Sequence, residues 1–127
     1  MWEYVGMARE KEGLEKAIGL IRELRDEFHA NLLIPNDKGI NTELEKAMRI
    51  SDFLEIGELI ARDALQREES CGGHFRTEHQ TADGEAQRDD ENFRFVAAYE
   101  FNGNKPAKLH KEELEFNNIQ LKQRNYK

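Results

Sequence analysis

Residues 42 to 76, TELEKAMRISDFLEIGELIARDALQREESCGGHFR, decide how this chain is read. A helical period runs to about Arg67, with its apolar residues on two adjoining stripes. Leu44, Ala47, Met48, Leu54, Ala61 and Leu65 form one, and Ile50, Phe53, Ile56, Ile60 and Ala64 form the other. Two stripes call for two packing partners, and a single neighbouring helix supplies one. At the start, Thr42 with Glu45 three residues on has the spacing of a capping box. Past its end, after five polar residues, come a cysteine, a Gly-Gly pair and a histidine.

Working towards the N-terminus, Leu14, Ala17, Ile18, Ile21, Leu24 and Phe28 recur at three- and four-residue steps among charged residues. They predict an amphipathic helix ending near Asn31. Pro35 pushes Ile34 out of the helical region and Gly39 permits a turn, so residues 34 to 39 read as the loop between two helices. Trp2, Tyr4, Val5 and Met7 crowd the first residues as though a buried helix were cut short there, and that short helix is one candidate cover for the second stripe.

Towards the C-terminus, Thr81 to Asp90 is polar and turn-rich, hence a loop. FRFVAAYEF, residues 93 to 101, then alternates, placing Phe93, Phe95, Ala97, Tyr99 and Phe101 on one face of a strand. Asn102-Gly103 supplies the positive φ of a tight hairpin turn, and Lys105 to His110 returns as an edge strand marked by Pro106. An isolated hairpin is marginal in water, so this one must lie on something. The tail from Glu113 has no firm period and reads as extended and docked. The prediction is a mainly α chain: a helical bundle over about 1–70, then a polar loop, hairpin and extended tail over about 71–127, in one domain.

Composition narrows the functions. At 127 residues one domain is the limit, and a net charge of -7 leaves no basic footprint for nucleic acid. A single cysteine cannot close an internal disulfide and no secretory leader is recognisable at the N-terminus, which favours a reducing, cytoplasmic setting. No apolar run is long enough to span a membrane.

Cys71, His74 and His79 have the spacing C-x2-H-x4-H, and thiolate and imidazole are ligands for zinc. A structural zinc site takes four ligands, whereas His29 and His110 lie in other elements. Thiol catalysis would need the His74 imidazole on the Cys71 sulfur and a third orienting group. Asp89 and Asp90 are adjacent, so they do not face each other as an acid-base pair, and no glycine-rich phosphate loop follows a strand. No catalytic, cofactor-binding or metal residue is assigned.

Three separated segments carry a family resemblance. Arg67 to Arg76 resembles the R-x-E-S-x-G-x-H-x-R stretch of the succinate dehydrogenase and fumarate reductase flavoprotein subunits, near the end of a long helix in their C-terminal domain. Arg88 to Phe93 is similar to that family's R-D-D-x-x-W segment, and Leu121 to Tyr126 to its closing Arg-x-Tyr. Residues 1 to 28, with I-R-E-L-R, resemble its helix, Glu-rich junction and second helix. Cys71 stands where many members have Arg, Gly73 where they have Ala or Leu, and Phe93 where they have Trp.

The resemblance implies a three-helix, spectrin-repeat-like bundle with its first helix truncated, followed by a hairpin. It implies a structural and docking role on the flavin-binding domain of the same subunit, through a polar patch of Arg67, Glu69, Ser70, Gly73, His74, Arg76, Arg88, Asp89 and Asp90. The parent would hold FAD, interconvert succinate and fumarate, and pass electrons to an iron-sulfur subunit and a membrane anchor at the cytoplasmic face of the inner membrane. The family's FAD, flavin-linking and substrate-binding residues all belong upstream of this stretch. The alternatives are a stand-alone helical interaction module and a small Cys/His metal-binding protein. Surplus apolar surface makes self-association a further expectation.

Overall fold

The computed structural model describes residues 1–35, 39–103 and 105–122. Five elements follow in order: α1 (Trp2–Val5), α2 (Lys11–Asn31), α3 (Thr42–Gln66), β1 (Phe95–Glu100) and β2 (Lys108–Glu113). The expected three helices and antiparallel hairpin are all present, and the first helix is a single turn.

Helices α2 and α3 run antiparallel: Arg22 on α2 meets Glu58 on α3, while Arg25 one turn on reaches back to Glu55. Between them lies a small core of Leu14, Ala17 and Ile18 from α2 and Ala61 and Ala64 from α3, closed by Val5, with Tyr4 and Leu65 packed at its edge. Alanines on α3 let the helices approach closely while the larger α2 side chains fill the interface. Burying Leu14 and Ile18 contributes about 2 kcal/mol each. Helix α1 lies across this pair and ends at Gly6, where an added Cβ would stand 2.6 Å from the Trp2 carbonyl oxygen.

The start of α3 differs from the predicted capping box. Asn41, one residue earlier, is the cap: its Oδ1 accepts from the Glu43 and Leu44 amides at 3.1 and 3.0 Å. Its Nδ2 also donates to the Pro35 carbonyl at 2.7 Å, which ties the incoming loop to the helix start. Thr42 is the first helical residue, and Glu45 pairs with Arg49 on the helix surface. Asn36 to Lys38 of the predicted loop lie outside the described residues.

The two stripes on α3 have different fates. Ala47, Leu54 and Ala61 of the first are buried while its Leu44 and Met48 are exposed, and of the second only Ala64 is buried while Ile50, Phe53, Ile56 and Ile60 are exposed. Met1 packs on α3 at Gly57, and the single turn of α1 leaves Ile50, Phe53, Ile56 and Ile60 uncovered.

The hairpin is shifted relative to its predicted bounds. Strand pairing runs from Glu100↔Lys108 to Phe95↔Glu113, and the connection spans 101–107 instead of the two residues Asn102 and Gly103. Pro106 has no amide to give to a ladder, so pairing begins only at Lys108. Gly103 does take a positive φ of 62°, within this wider loop. Because β1 ends at Glu100, Phe101 leaves the sheet and is 82% exposed rather than packed on the inner face. After β2 the described tail, 114–122, has no regular structure; the Leu114 amide bonds the Arg94 carbonyl at 3.0 Å and the Lys122 carbonyl accepts from Arg88. Gln123 to Lys127, with the Arg and Tyr of the closing segment, lie outside the described residues.

Candidate functional site

The last carbonyls of a helix have no partner within it, and here two of them meet a side chain from twelve and eleven residues further along. Cys71 and His74 exchange backbone hydrogen bonds of 2.8 and 3.0 Å around Gly72, whose φ of 59° a residue with a side chain would rarely adopt. The chain therefore reverses and carries Arg76 back under the end of α3. Arg76 is 2% exposed and its Nη1 donates to the Ala64 and Leu65 carbonyls at 3.0 and 3.2 Å. Ser70, fully buried, holds the backbone of this return: its Oγ accepts from the Arg76 amide at 2.8 Å and donates to the Arg76 carbonyl at 3.1 Å.

The rest of the Arg76 guanidinium faces Glu78, with Nε at 3.1 Å and Nη2 at 3.4 Å from its carboxylate. Glu78 also accepts from the Lys11 amide at 2.5 Å, on the first residue of α2. Burial pushes the Glu78 carboxyl up, but the Arg76 guanidinium and the Lys11 amide outweigh it and bring it down to about 2. A cation thus sits at the C-terminal end of α3 and an anion at the N-terminal end of α2, each matching the helix dipole it faces, and the two are bonded to each other.

His74 links this joint to the N-terminus. Its Nδ1 lies 2.8 Å from Nη1 of Arg9 and its Nε2 lies 2.8 Å from the Arg67 carbonyl oxygen. Arginine only donates and a carbonyl only accepts, so the ring is neutral with its proton on Nε2. Burial lowers its pKa, the Arg67 carbonyl opposes this, and the charges of Arg9, Arg76 and Arg67 lower it further. Arg9 also donates through Nε to the Val5 and Gly6 carbonyls at 3.2 and 3.0 Å, capping α1. Its backbone pairs in parallel with residues 75 to 77, giving bonds to the Phe75 carbonyl at 3.0 Å and from the Thr77 amide at 2.8 Å.

On the other side, the joint reaches the hairpin. Arg67 donates to Glu69 at 2.6 Å and to the carbonyls of Phe93 and Phe95 at 3.2 and 3.1 Å, and its guanidinium stands over both rings. Glu69, buried, also accepts from the Asp89 amide at 2.9 Å. Further along α3, the Tyr99 hydroxyl lies 3.0 Å from both Asp63 and Gln66. Burial and the adjacent Asp63 carboxylate push the Tyr99 phenol upward.

Of the nine residues singled out in the sequence, Arg67, Glu69, Ser70, His74 and Arg76 come together as one bonded joint. Arg88 and Asp90 form a separate forked pair at its rim. The Asp89 carboxylate closes its own turn by accepting from Asn92 at 3.1 and 2.9 Å, which holds its pKa below the usual range. Gly73 is exposed, with nothing within 4 Å of a Cβ placed on it, so no packing contact requires it to be glycine. Cys71 is exposed, and both ring nitrogens of His74 are engaged; among the described residues no three acidic, cysteine or histidine side chains are gathered as a metal site.

Sequence reasoning missed Arg9 and Glu78 in the joint, and a second cluster around Glu58. Glu58 is buried against α2 and is held by Arg22 at 2.9 Å, Arg25 at 2.9 Å and Arg62 at 2.8 Å. Only the Glu58-Arg62 pair had a local signal, the i,i+4 spacing on one helix.

The helical pair is thus clamped at one end by a polar joint, with a hairpin hung from the last turns of its second helix. The chain belongs to the family described as fumarate reductase flavoprotein C-term, part of the succinate dehydrogenase/fumarate reductase flavoprotein group, and the match covers residues 1–126. It is 37% identical over 76 residues to a subunit of the fumarate reductase (CoM/CoB) of Methanothermobacter marburgensis, covering 60% of this chain and 14% of that protein. It is 33% identical over 82 residues to the L-aspartate oxidase of Yersinia pestis, covering 62% of this chain and 14% of that one. Among solved structures, the FrdA protein of E. coli quinol fumarate reductase superposes with a TM-score of 0.79 at 26% identity, over 94% of this chain and 20% of that one. The chain thus spans about one seventh of the length of the curated relatives it matches. No helix among the described residues is long and apolar enough to cross a membrane.

Proposed function

We propose that this chain is the C-terminal structural and docking domain of a flavoprotein subunit that interconverts succinate and fumarate, packing against the flavin-binding domain of the same subunit. The observation that carries the reading is the family match over residues 1–126 in a chain covering 14 to 20% of its relatives. The exposed stripe of Phe53, Ile56 and Ile60 supports it, because a helix face of this kind is normally covered. Of the nine-residue patch, the exposed rim at Gly73 and the Arg88-Asp90 pair supplies polar contacts to the neighbouring domain in this reading, while the buried Glu69, Ser70 and Arg76 act by holding the joint within this chain.

The joint side chains bond one another, and no glycine-rich turn opens onto a helix N-terminus among the described residues. With the match lying on the family's C-terminal portion, we place the flavin on the remainder of the subunit. Electron transfer onward to an iron-sulfur subunit and a membrane anchor, at the cytoplasmic face of the inner membrane, belongs to the same proposal.

The similarity to an L-aspartate oxidase favours one second reading, a parent that oxidises L-aspartate with this domain in the same docking role. The test is Ile56→Glu in the full flavoprotein subunit, with flavin content, assembly, and turnover of succinate, fumarate and L-aspartate measured. Docking predicts loss of flavin and of assembly while the isolated domain keeps its helicity. Normal flavin content, assembly and activity in that variant would overturn it, and the substrate turned over by the unmodified subunit decides between the two parents.

A further inference from the structure

The face of the α2-α3 pair away from α1 carries a cleft of about 490 Å³ between the helices and the hairpin. This volume is within the range of small-molecule sites. One wall is cationic: Arg22, Arg25 and Arg62 converge on the single buried carboxylate of Glu58, so three guanidinium charges face one buried anion. Glu55 approaches only Arg25, at 3.7 Å, and is itself more than half exposed. Apolar surface comes from Leu59, beside Glu58 on α3, and from Tyr99 and the exposed ring of Phe101 on the hairpin side, where Lys105 adds a further cation.

The bonding leaves donors to spare. Arg22 and Arg62 each meet Glu58 through Nε, and Arg25 through Nη1. Among the described residues the Nη groups of Arg22 and Arg62 have no acceptor. Guanidinium groups held side by side repel one another, and a second anion relieves that repulsion while using their remaining fork geometry. In a chain of net charge -7 this is a local inversion of sign, placed where an apolar surface completes the enclosure. Neither the docking role nor the joint at the far end of the helices accounts for it.

We infer that this cleft binds a small organic carboxylate, its carboxylate taken by Arg22 and Arg62 and its apolar body laid against Tyr99 and Phe101. The residues that line the cleft all belong to this chain.

The experiment is an NMR titration of the labelled chain with benzoate at constant ionic strength, with inorganic phosphate and benzyl alcohol as parallel probes. Benzoate is expected to give saturable shifts at the amides of Leu59, Tyr99 and Phe101, stronger than those from either control. Arg62→Gln should weaken it about tenfold, the loss of one charge-assisted contact. Phe101→Ala, at an exposed position that leaves the fold unchanged, should weaken benzoate and leave phosphate unaffected. The inference is overturned if benzoate gives no saturable shift, or if its affinity is the same in both variants. Phosphate binding as tightly as benzoate would overturn the assignment of an organic ligand.

Discussion

Arg76 does the work of a helix cap, an ion pair and a core side chain at once. Its guanidinium takes the Ala64 and Leu65 carbonyls and the Glu78 carboxylate, and it is almost wholly buried. Arg76→Ala should lower stability by about 3 to 5 kcal/mol, since it strands two helix-end carbonyls and a carboxylate. Urea unfolding followed by helical circular dichroism measures this, and Arg76→Lys, with charge but no fork, should recover only part of the loss. The same joint sets an acid limit. His74 is held below its ordinary 6.5 and Glu78 near 2 against an ordinary 4.5, so the folded state binds fewer protons than the unfolded chain at both sites. Stability is then present in full above pH 6.5 and declines as the pH falls below it, with a second decline between pH 4.5 and about 2. His74→Gln should remove the first decline and leave the second, as read from unfolding midpoints across that range.

The two long helices pack along their length, whereas the hairpin meets α3 near its end. The hairpin rests on α3 through the Tyr99 hydroxyl and through Arg67, so Tyr99→Phe should weaken its attachment by about 1 kcal/mol. Faster amide exchange across 95–100, with α2 and α3 unchanged, is the expected signature; equal acceleration in the helices would mean that the hairpin is not a separate unit. The elements themselves were legible in the sequence because each has a local period: Leu14 to Phe28 for α2, the α3 stripes, and the alternation from Phe93 to Tyr99. The ends were less so. Asn41 displaced Thr42 as cap because its amide side chain both caps α3 and bonds the Pro35 carbonyl, and the second of these is invisible to a spacing rule. Five joint residues stood out through the family pattern. Arg9, 65 residues from His74, had no local mark, and the three-arginine cluster on Glu58 depends on the register between two helices.

For the molecule as a whole, the balance of covered and uncovered surface is the main property. The core is small and alanine-rich, while Trp2 is 94% exposed and Phe53, Ile56 and Ile60 form an open stripe. The chain alone should therefore self-associate with rising concentration, and Ile56→Glu should abolish this without loss of helicity, as sedimentation velocity would register. An unchanged concentration dependence in that variant would place the contact elsewhere. The backbone pairing of Arg9 with the segment around Arg76 has a consequence in time. Arg9 and Thr77 are 68 positions apart, and at about 5 to 20 residues per second a ribosome needs roughly 3 to 14 s to make the interval between them. Through that delay the first turn has no clasp to close, and Leu14 and Ala17 must wait for α3 to cover them. The Arg9 latch thus locks only after Thr77 has been made, with the hairpin from Phe95 to Glu113 still to follow.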